Sequence, residues 1–451
     1  MNFVKKIIGL ITSGNQRSVA VKKNIIGSFA LKGISIVISF LLVPLTLGYV
    51  NSELYGVWLT LSSILTWLSF LDIGFTQGLK NKLTEALANQ DYDRGKALVS
   101  TTYFMMVIIF VPVCLVCELL IPFVDWTSLL NVPVSYRDEI LHVMQILVVF
   151  ACFQLIVNVL TSVIAAYQKV AFSTSFAVIG NFLSLLIILV LIKTCPPSLY
   201  ALTFSYGLMP ILVTFAASFI LYHKKFKEIS PNIRMINKSL VGDLFGLGYK
   251  FFIINVQVLV LYQSTNFLIS NISSPVDVTS YNLSYKLMNI AMMAYTIITA
   301  PLWPAYTDAY ARGDYEWMKS MRNKMNKVLL LSILGCLLLV VFSVPFYKVW
   351  IGDKAQIPFQ MTFSVALYVI AYCWMNLNGT LIVGMGKVKL DTIIAVVGMV
   401  IHIPLSLFLS KFIGVYGVLT SQIAINFFYA IILYKQVNMI LNKKAFGIWL
   451  K

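Results

Sequence analysis

Long apolar segments separated by short polar connections dominate this chain. A helix that crosses a bilayer needs about 20 mostly apolar residues, and twelve segments meet this requirement. The predicted spans are residues 25–48, 55–77, 98–121, 140–166, 171–193, 200–222, 247–271, 279–304, 327–349, 359–384, 391–412 and 415–437. The pattern therefore predicts an all-α polytopic membrane protein with about 12 transmembrane helices.

The distribution of lysine and arginine predicts the orientation of these spans. One side of the membrane, which includes both chain ends, carries 26 of these residues, whereas the opposite side carries five. Because cytoplasmic loops are enriched in Lys and Arg, we predict that both termini lie in the cytoplasm. The net charge of +17 then reflects topology and attraction to anionic lipid, and a nucleic-acid partner has no support.

The longest connection joins the sixth and seventh spans and divides the chain into two halves of six. We predict a cytoplasmic segment 1–24, a first lobe 25–222, a linker 223–246, a second lobe 247–437 and a cytoplasmic tail 438–451. Each half has an even number of spans, so both halves enter the membrane from the same side. An internal repeat must then be parallel, with its axis along the membrane normal.

Short segments of similar sequence that recur at a nearly constant spacing, here called echoes, support such a repeat. Residues 85–93 resemble residues 308–316 at an offset of 223, and residues 177–180 resemble residues 395–398 at an offset of 218. Several echoes at nearly one offset are typical of a duplicated architecture.

Composition argues against an enzyme. With 59% hydrophobic and 11% charged residues, the chain has no long polar stretch for a soluble catalytic domain. Phosphate-loop, zinc-protease and nucleophile-elbow motifs are missing from the sequence. The three histidines are far apart, at positions 142, 223 and 402. We therefore expect no catalytic residues, no cofactor and no metal.

Three predicted spans carry polar stripes that each include a lysine. Steps of three, four and seven residues keep these side chains on one helix face, and such a face points at protein or water rather than lipid. The first stripe is Ser28, Lys32, Ser35, Ser39 and Thr46; the second is Lys250, Gln257, Ser264 and Asn271; the third is Asn282, Lys286, Asn289 and Thr296.

Charged residues within the spans have more than one interpretation. For Lys32 and Lys286, about two turns inside their predicted spans, we favour a cavity-facing role. Lys250 lies closer to a helix end, so it either faces the cavity or extends to the membrane surface. Glu118 could pair with a lysine, couple transport to an ion, or reach the surface. Asp72 is predicted to cap a short helix.

Several motifs in the first 135 residues resemble the Wzx-type polysaccharide flippases of the multidrug/oligosaccharidyl-lipid/polysaccharide exporter superfamily. The segments that carry this resemblance are Leu47-Gly48-Tyr49-Val50, Tyr55-Gly56-Val57-Trp58, Leu71-Asp72-Ile73-Gly74, the basic helix from Lys80 to Ala88, and residues 125–133. The topology matches over the whole chain.

The resemblance implies two six-helix lobes around a central cavity that opens alternately to each side. It implies an undecaprenyl-pyrophosphate-linked glycan as substrate, moved outward for O-antigen, capsule or exopolysaccharide assembly. Membrane lipids and other polysaccharide assembly proteins are the further partners expected. Basic residues on the first and eighth spans meet the pyrophosphate in related flippases. The substrate-binding candidates are accordingly Lys32, Lys286, Lys250, Asn282, Asn289 and Gln257, with Glu118 as the candidate for ion coupling.

Two other classes compete with this interpretation. A cation-coupled drug exporter of the same superfamily would be expected to place carboxylates inside its lobes, whereas this chain places lysines there. A membrane-embedded glycan polymerase or ligase would be expected to have a large outer loop, which the sequence lacks. Coupling to protons, to sodium or to the membrane potential alone stays open.

Overall fold

The structure, a computed structural model, describes residues 16–68, 72, 74–167, 169–244, 256, 259–299 and 302–450. Regular structure in this part of the chain is helical. The helices are α1 Gln16–Tyr49, α2 Ser52–Leu68, α3 Phe75–Ala88, α4 Tyr92–Leu120, α5 Trp126–Leu130, α6 Arg137–Val157, α7 Val159–Ala166, α8 Val170–Thr194, α9 Leu199–Thr203, α10 Met209–His223, α11 Thr265–Ile272, α12 Pro275–Thr299, α13 Leu302–Ala311, α14 Tyr315–Val341, α15 Ser343–Trp350, α16 Phe359–Gly384, α17 Lys389–Ile413 and α18 Tyr416–Leu441.

Nine helical segments of the described chain are long and apolar enough to cross a membrane. They correspond to nine of the twelve predicted spans, and the exceptions have separate reasons. Helix α2 has only 17 residues, α12 is long enough but more polar, and much of the seventh predicted span lies outside the described residues. The prediction of an all-α polytopic membrane protein is confirmed.

The predicted second span, 55–77, is wrong as a single helix. Helix α2 ends at Leu68 and α3 begins at Phe75. Gly74 has a φ of 79°, a left-handed conformation that glycine adopts without steric cost. The carboxylate of Asp72 accepts hydrogen bonds from the backbone N–H of Thr76, at 3.2 Å, and from its hydroxyl. The predicted capping role of Asp72 is therefore confirmed.

The described chain divides into two compact units. The first comprises residues up to 50, 64–127 and 133–256, and the second comprises 51–63, 128–132 and 257 onward. In the first unit, α1 packs on α8 through Ile38, Leu42, Leu185 and Ile188. In the second, α16 lies at the centre and contacts α12, α13, α14 and α18.

The connection after α10 is packed against the first unit rather than extended into solvent. The hydroxyls of Ser100 and Thr101 on α4 accept hydrogen bonds from the backbone N–H groups of Asn232, at 2.9 Å, and Asn237, at 3.0 Å. Ile229 is completely buried. Part of the predicted linker is therefore structurally integrated into the first unit.

The sequence echo at an offset of 223 corresponds to the same local structure in both units. Asp91 is the N-cap of α4 and accepts a hydrogen bond from the Arg94 N–H at 3.0 Å. Asp314 is the N-cap of α14 and accepts one from the Trp317 N–H at 3.0 Å. The preceding residue has positive φ in each case, 58° at position 90 and 72° at position 313. Each unit therefore contains the same turn followed by the same aspartate cap, and this supports the duplicated architecture.

We expect Asp91→Ala and Asp314→Ala to lower the stability of the protein by about 1 kcal/mol each, because each change removes a helix cap. The measurement is the apparent Tm of the purified protein in detergent. Asp243→Ala, which changes an exposed aspartate of the linker, is the control and should leave the Tm unchanged. An equal decrease in all three variants would contradict a capping role.

Candidate functional site

Lys286 lies deep within its helix. It follows Pro275, the first residue of α12, by eleven positions, which at about 1.5 Å per residue is roughly 16 Å along the helix axis. That is about half of the roughly 30 Å hydrocarbon core. Lysines that extend to the membrane surface lie near helix ends, and Lys286 lies near the middle of its helix. Its cavity-facing role stays a prediction.

Lys32 has a different environment. It is the third residue of the candidate span Ala30–Tyr49, and its side chain is exposed on the first unit. Thr46, in the same predicted stripe, is completely buried and hydrogen-bonds the hydroxyl of Tyr206 at 2.7 Å. The stripe therefore faces protein at its C-terminal end, whereas Lys32 is accessible at the other end.

The remaining predicted substrate-binding residues are only partly described. Asn282, one turn before Lys286, donates hydrogen bonds to Asn266 Oδ1 and to the Val278 carbonyl, both at 2.8 Å. Asn289 is partly buried on the same helix. Lys250 and Gln257 lie outside the described residues, so their predicted roles stay predictions.

Glu118 is two residues from the C-terminal end of α4. One of its carboxylate oxygens is buried and has no hydrogen-bond partner among the described residues, and Gln145 on α6 lies beside the carboxyl group. The surroundings include Cys114 and Cys117 from the same helix. An incompletely satisfied carboxylate keeps the ion-coupling interpretation of Glu118 open.

A cluster of five tyrosines in the second unit was not predicted. The ring centroids of Tyr262 and Tyr372 are 6.0 Å apart, those of Tyr262 and Tyr368 are 6.4 Å apart, and those of Tyr285 and Tyr368 are 6.3 Å apart. Tyr281 stacks on Tyr285 at 6.0 Å. Two pairs have a spacing of four residues, which places their rings on one helix face, and this spacing was the available signal. Tyr285 directly precedes Lys286 on α12.

A buried polar network links α18 to a π-helical turn at Leu259–Gln263 in the second unit. The side-chain amide of Gln422 donates to the carbonyl of Leu261 at 2.6 Å and to the hydroxyl of Thr265 at 2.7 Å. Nearby on α17, Nδ1 of His402 lies 3.0 Å from the Ser421 hydroxyl. Because π-helical turns interrupt regular backbone pairing, Gln422 satisfies a carbonyl that would otherwise be exposed to a low-dielectric interior.

Comparison of the sequence with known proteins identifies distant relatives. No family model matches the chain. A "Putative O-antigen transporter" of Salmonella typhimurium is 23% identical over 419 residues, which cover 89% of this chain and 90% of the relative. A "Putative O-antigen export protein" of Yersinia pseudotuberculosis is 21% identical over 369 residues, which cover 79% and 81% of the two chains.

The solved structures with a similar fold include multidrug transporters. An inward-facing multidrug resistance MATE family transporter of the MOP superfamily superposes with a TM-score of 0.76 over 92% of this chain and 94% of its own, at 11% identity. An outward-facing structure of a MATE family transporter gives a TM-score of 0.62 at 12% identity, with 98% and 99% covered. This chain has the MATE-like fold, which comprises 12 transmembrane helices in two lobes, and the resemblance seen in the sequence is confirmed.

Proposed function

We propose that this protein, a distant relative of O-antigen transporters with a MATE-like fold, is a flippase for a lipid-linked oligosaccharide. The substrate is an undecaprenyl-pyrophosphate-linked glycan, which crosses from the cytoplasmic to the outer leaflet by alternating access. The protein resides in the bacterial cytoplasmic membrane with both termini in the cytoplasm, and it supplies O-antigen, capsule or exopolysaccharide assembly. Other polysaccharide assembly proteins are proposed partners.

The observation that carries this proposal is sequence similarity along almost the whole chain to two proteins named for O-antigen transport. The fold alone would suit a drug exporter equally well, because folds host many functions. The coverage of 90% of the Salmonella relative means that the similarity extends through both lobes. It therefore favours a common type of substrate over a shared fold alone.

The charges of the spanning helices support an anionic substrate. Lys286 lies far from the helix ends, and Lys32 is accessible at the beginning of its span. Ammonium groups in a low-dielectric environment attract phosphates strongly. We propose that both lysines contact the pyrophosphate, and that Asn282, Asn289, Lys250 and Gln257 provide further polar contacts.

The tyrosine cluster supports a glycan. Each tyrosine offers an apolar ring face and a polar hydroxyl, a combination that matches the mixed apolar and hydroxylated faces of a sugar. Tyr285 of the cluster directly precedes Lys286 on α12. We propose that the partly exposed members of the cluster, Tyr262, Tyr285 and Tyr372, contact the glycan.

The experiment that tests the function is translocation in vesicles. Purified protein is reconstituted with a fluorescent undecaprenyl-pyrophosphate glycan, and accessibility to an external glycosidase reports flipping. We expect faster outward flipping when the compartment that corresponds to the cytoplasm is electrically negative. The potential contributes about 2.3 kcal/mol per charge per 100 mV, or roughly 4–5 kcal/mol for the two charges of the pyrophosphate if both cross uncompensated.

Two outcomes would contradict parts of this proposal. If vesicles exported cationic dyes but not the glycan lipid, the drug-exporter alternative would replace it. A second outcome is flipping that does not depend on the membrane potential, requires a proton or sodium gradient and is stopped by Glu118→Gln. The proposed substrate would then be kept, and an ion-coupled mechanism would replace the potential-driven one. Glycan polymerisation or ligation by the purified protein would support the enzyme alternative.

A further inference from the structure

Two lysines of the first unit lie at one membrane surface between the ends of neighbouring spans. Lys169 precedes α8, and Lys225 follows α10. The candidate spans Ala171–Thr194 and Leu199–His223 are consecutive, joined by a short connection, and their helices pack together. Consecutive spans run in opposite directions, so the start of one and the end of the next meet at the same surface.

The two ammonium groups are neighbours on an aromatic surface. The amine nitrogen of Lys225 lies 5.5 Å from the ring centroid of Phe172. Lys169 precedes Phe172 by three residues at the start of α8 and lies close enough to Lys225 for the two charges to interact. The rings of Tyr167 and Phe226 also contact each other at this end of the unit, tilted by 37° with centroids 4.8 Å apart. Both Phe172 and Lys225 are exposed, so a ligand at the surface could reach them.

This pair of cations lacks an acidic partner in the described chain. The salt bridges found there join Lys82 with Glu85, Arg312 with Asp308, and Lys319 with Glu316, all at other places. Burial, together with the neighbouring Lys225, lowers the pKa of Lys169 from its ordinary value. Like charges held together destabilise one another, and an anion between them reverses the effect.

We propose that Lys169 and Lys225 form a binding site for the phosphate of an anionic phospholipid. A phosphate between the two amines accepts charge-assisted hydrogen bonds from both. The acyl chains of a bilayer lipid lie beside the spans that begin and end here. The exposed ring of Phe172 offers them an apolar surface and packs edge-to-face on the buried ring of Phe176, with centroids 5.1 Å apart. A lipid already present at this surface satisfies both requirements, the anion and the apolar chain.

The test measures phosphatidylglycerol binding to the full-length protein by native mass spectrometry, with phosphatidylcholine as the neutral reference. We expect K169A/K225A to weaken the tightest phosphatidylglycerol binding about tenfold or more, since each lysine near a membrane surface contributes substantially to anionic-lipid attraction. Phosphatidylcholine binding should not change. The matched control is K224A/K227A, which removes two exposed lysines from the same connection and should change binding less than twofold.

The remaining outcomes are decisive as well. Equal losses in the two double variants would show nonspecific surface charge and overturn the site. Unchanged phosphatidylglycerol binding together with weaker binding of the glycan lipid would assign the phosphate to the substrate and also overturn it. If K169A/K225A failed to fold, the single change K225A, at an exposed side chain, should still weaken phosphatidylglycerol binding severalfold relative to K224A, and equal binding by these two single variants would overturn the site.

Discussion

Replacing Lys286 by alanine is expected to abolish glycan export without changing the amount of protein in the membrane. The change removes a cation about 16 Å along α12, and we propose that the substrate pyrophosphate binds there. Export should fall at least 100-fold, because charged hydrogen bonds in a low-dielectric site are worth about 1.5–3 kcal/mol each and a pyrophosphate accepts more than one. Surface glycan in cells and flipping in vesicles are the two measurements.

Lys286→Arg distinguishes charge from shape. Arginine keeps the positive charge but has a planar group of different size, so we expect partial activity. Lys411→Ala is the control, since this exposed lysine lies near the end of α17 and should be dispensable.

Lys32→Ala is expected to reduce export in the same assay. Normal export from the Lys32→Ala, Lys286→Ala double variant would remove the charge argument for this substrate.

Replacing Gly56 by alanine is expected to prevent stable folding. A Cβ atom at this position would overlap with the backbone carbonyl of Pro275, at the start of α12. The carbonyl belongs to the backbone and a Cβ atom is fixed rigidly to its own backbone, so the helices would have to separate. Overpacking in a tight interior costs about 1–3 kcal/mol, and more where nothing can yield. We therefore expect a destabilisation of at least about 3 kcal/mol, measured as a lower apparent Tm and a lower yield.

Gly335→Ala is the matched control for this prediction. Gly335 is also within a helix, α14, but a Cβ there would meet no atom within 4 Å. Alanine is the better helix former by roughly 0.5–1 kcal/mol, so this variant should be as stable as the parent or slightly more stable. If Gly56→Ala were equally stable, the close approach of α2 and α12 would be contradicted.

Much of the architecture was determined by the sequence alone. Apolar runs must be long enough to cross the bilayer, and their backbone groups must be satisfied within each helix, so the spans can be predicted without knowledge of their packing. The segment around Gly56 was also recognised in the sequence, because it resembles a motif of the Wzx-type flippases. Similarly, the echo between residues 85–93 and 308–316 indicated the repeated turn, because capping depends on local residues such as Asp91 and Asp314.

Tertiary structure decided what local patterns do not contain. Gly56 is required because Pro275, more than 200 residues away, approaches its backbone. The break of the predicted second span depends on Asp72 and Gly74. These two residues change the mean hydropathy of a long apolar run only slightly, but they end one helix and begin another. The tyrosine cluster and the pair of Lys169 with Lys225 join residues from different helices. Hydrophobic periodicity reports which residues leave water, whereas only packing decides which polar groups meet, because those contacts arise between segments that are distant in sequence.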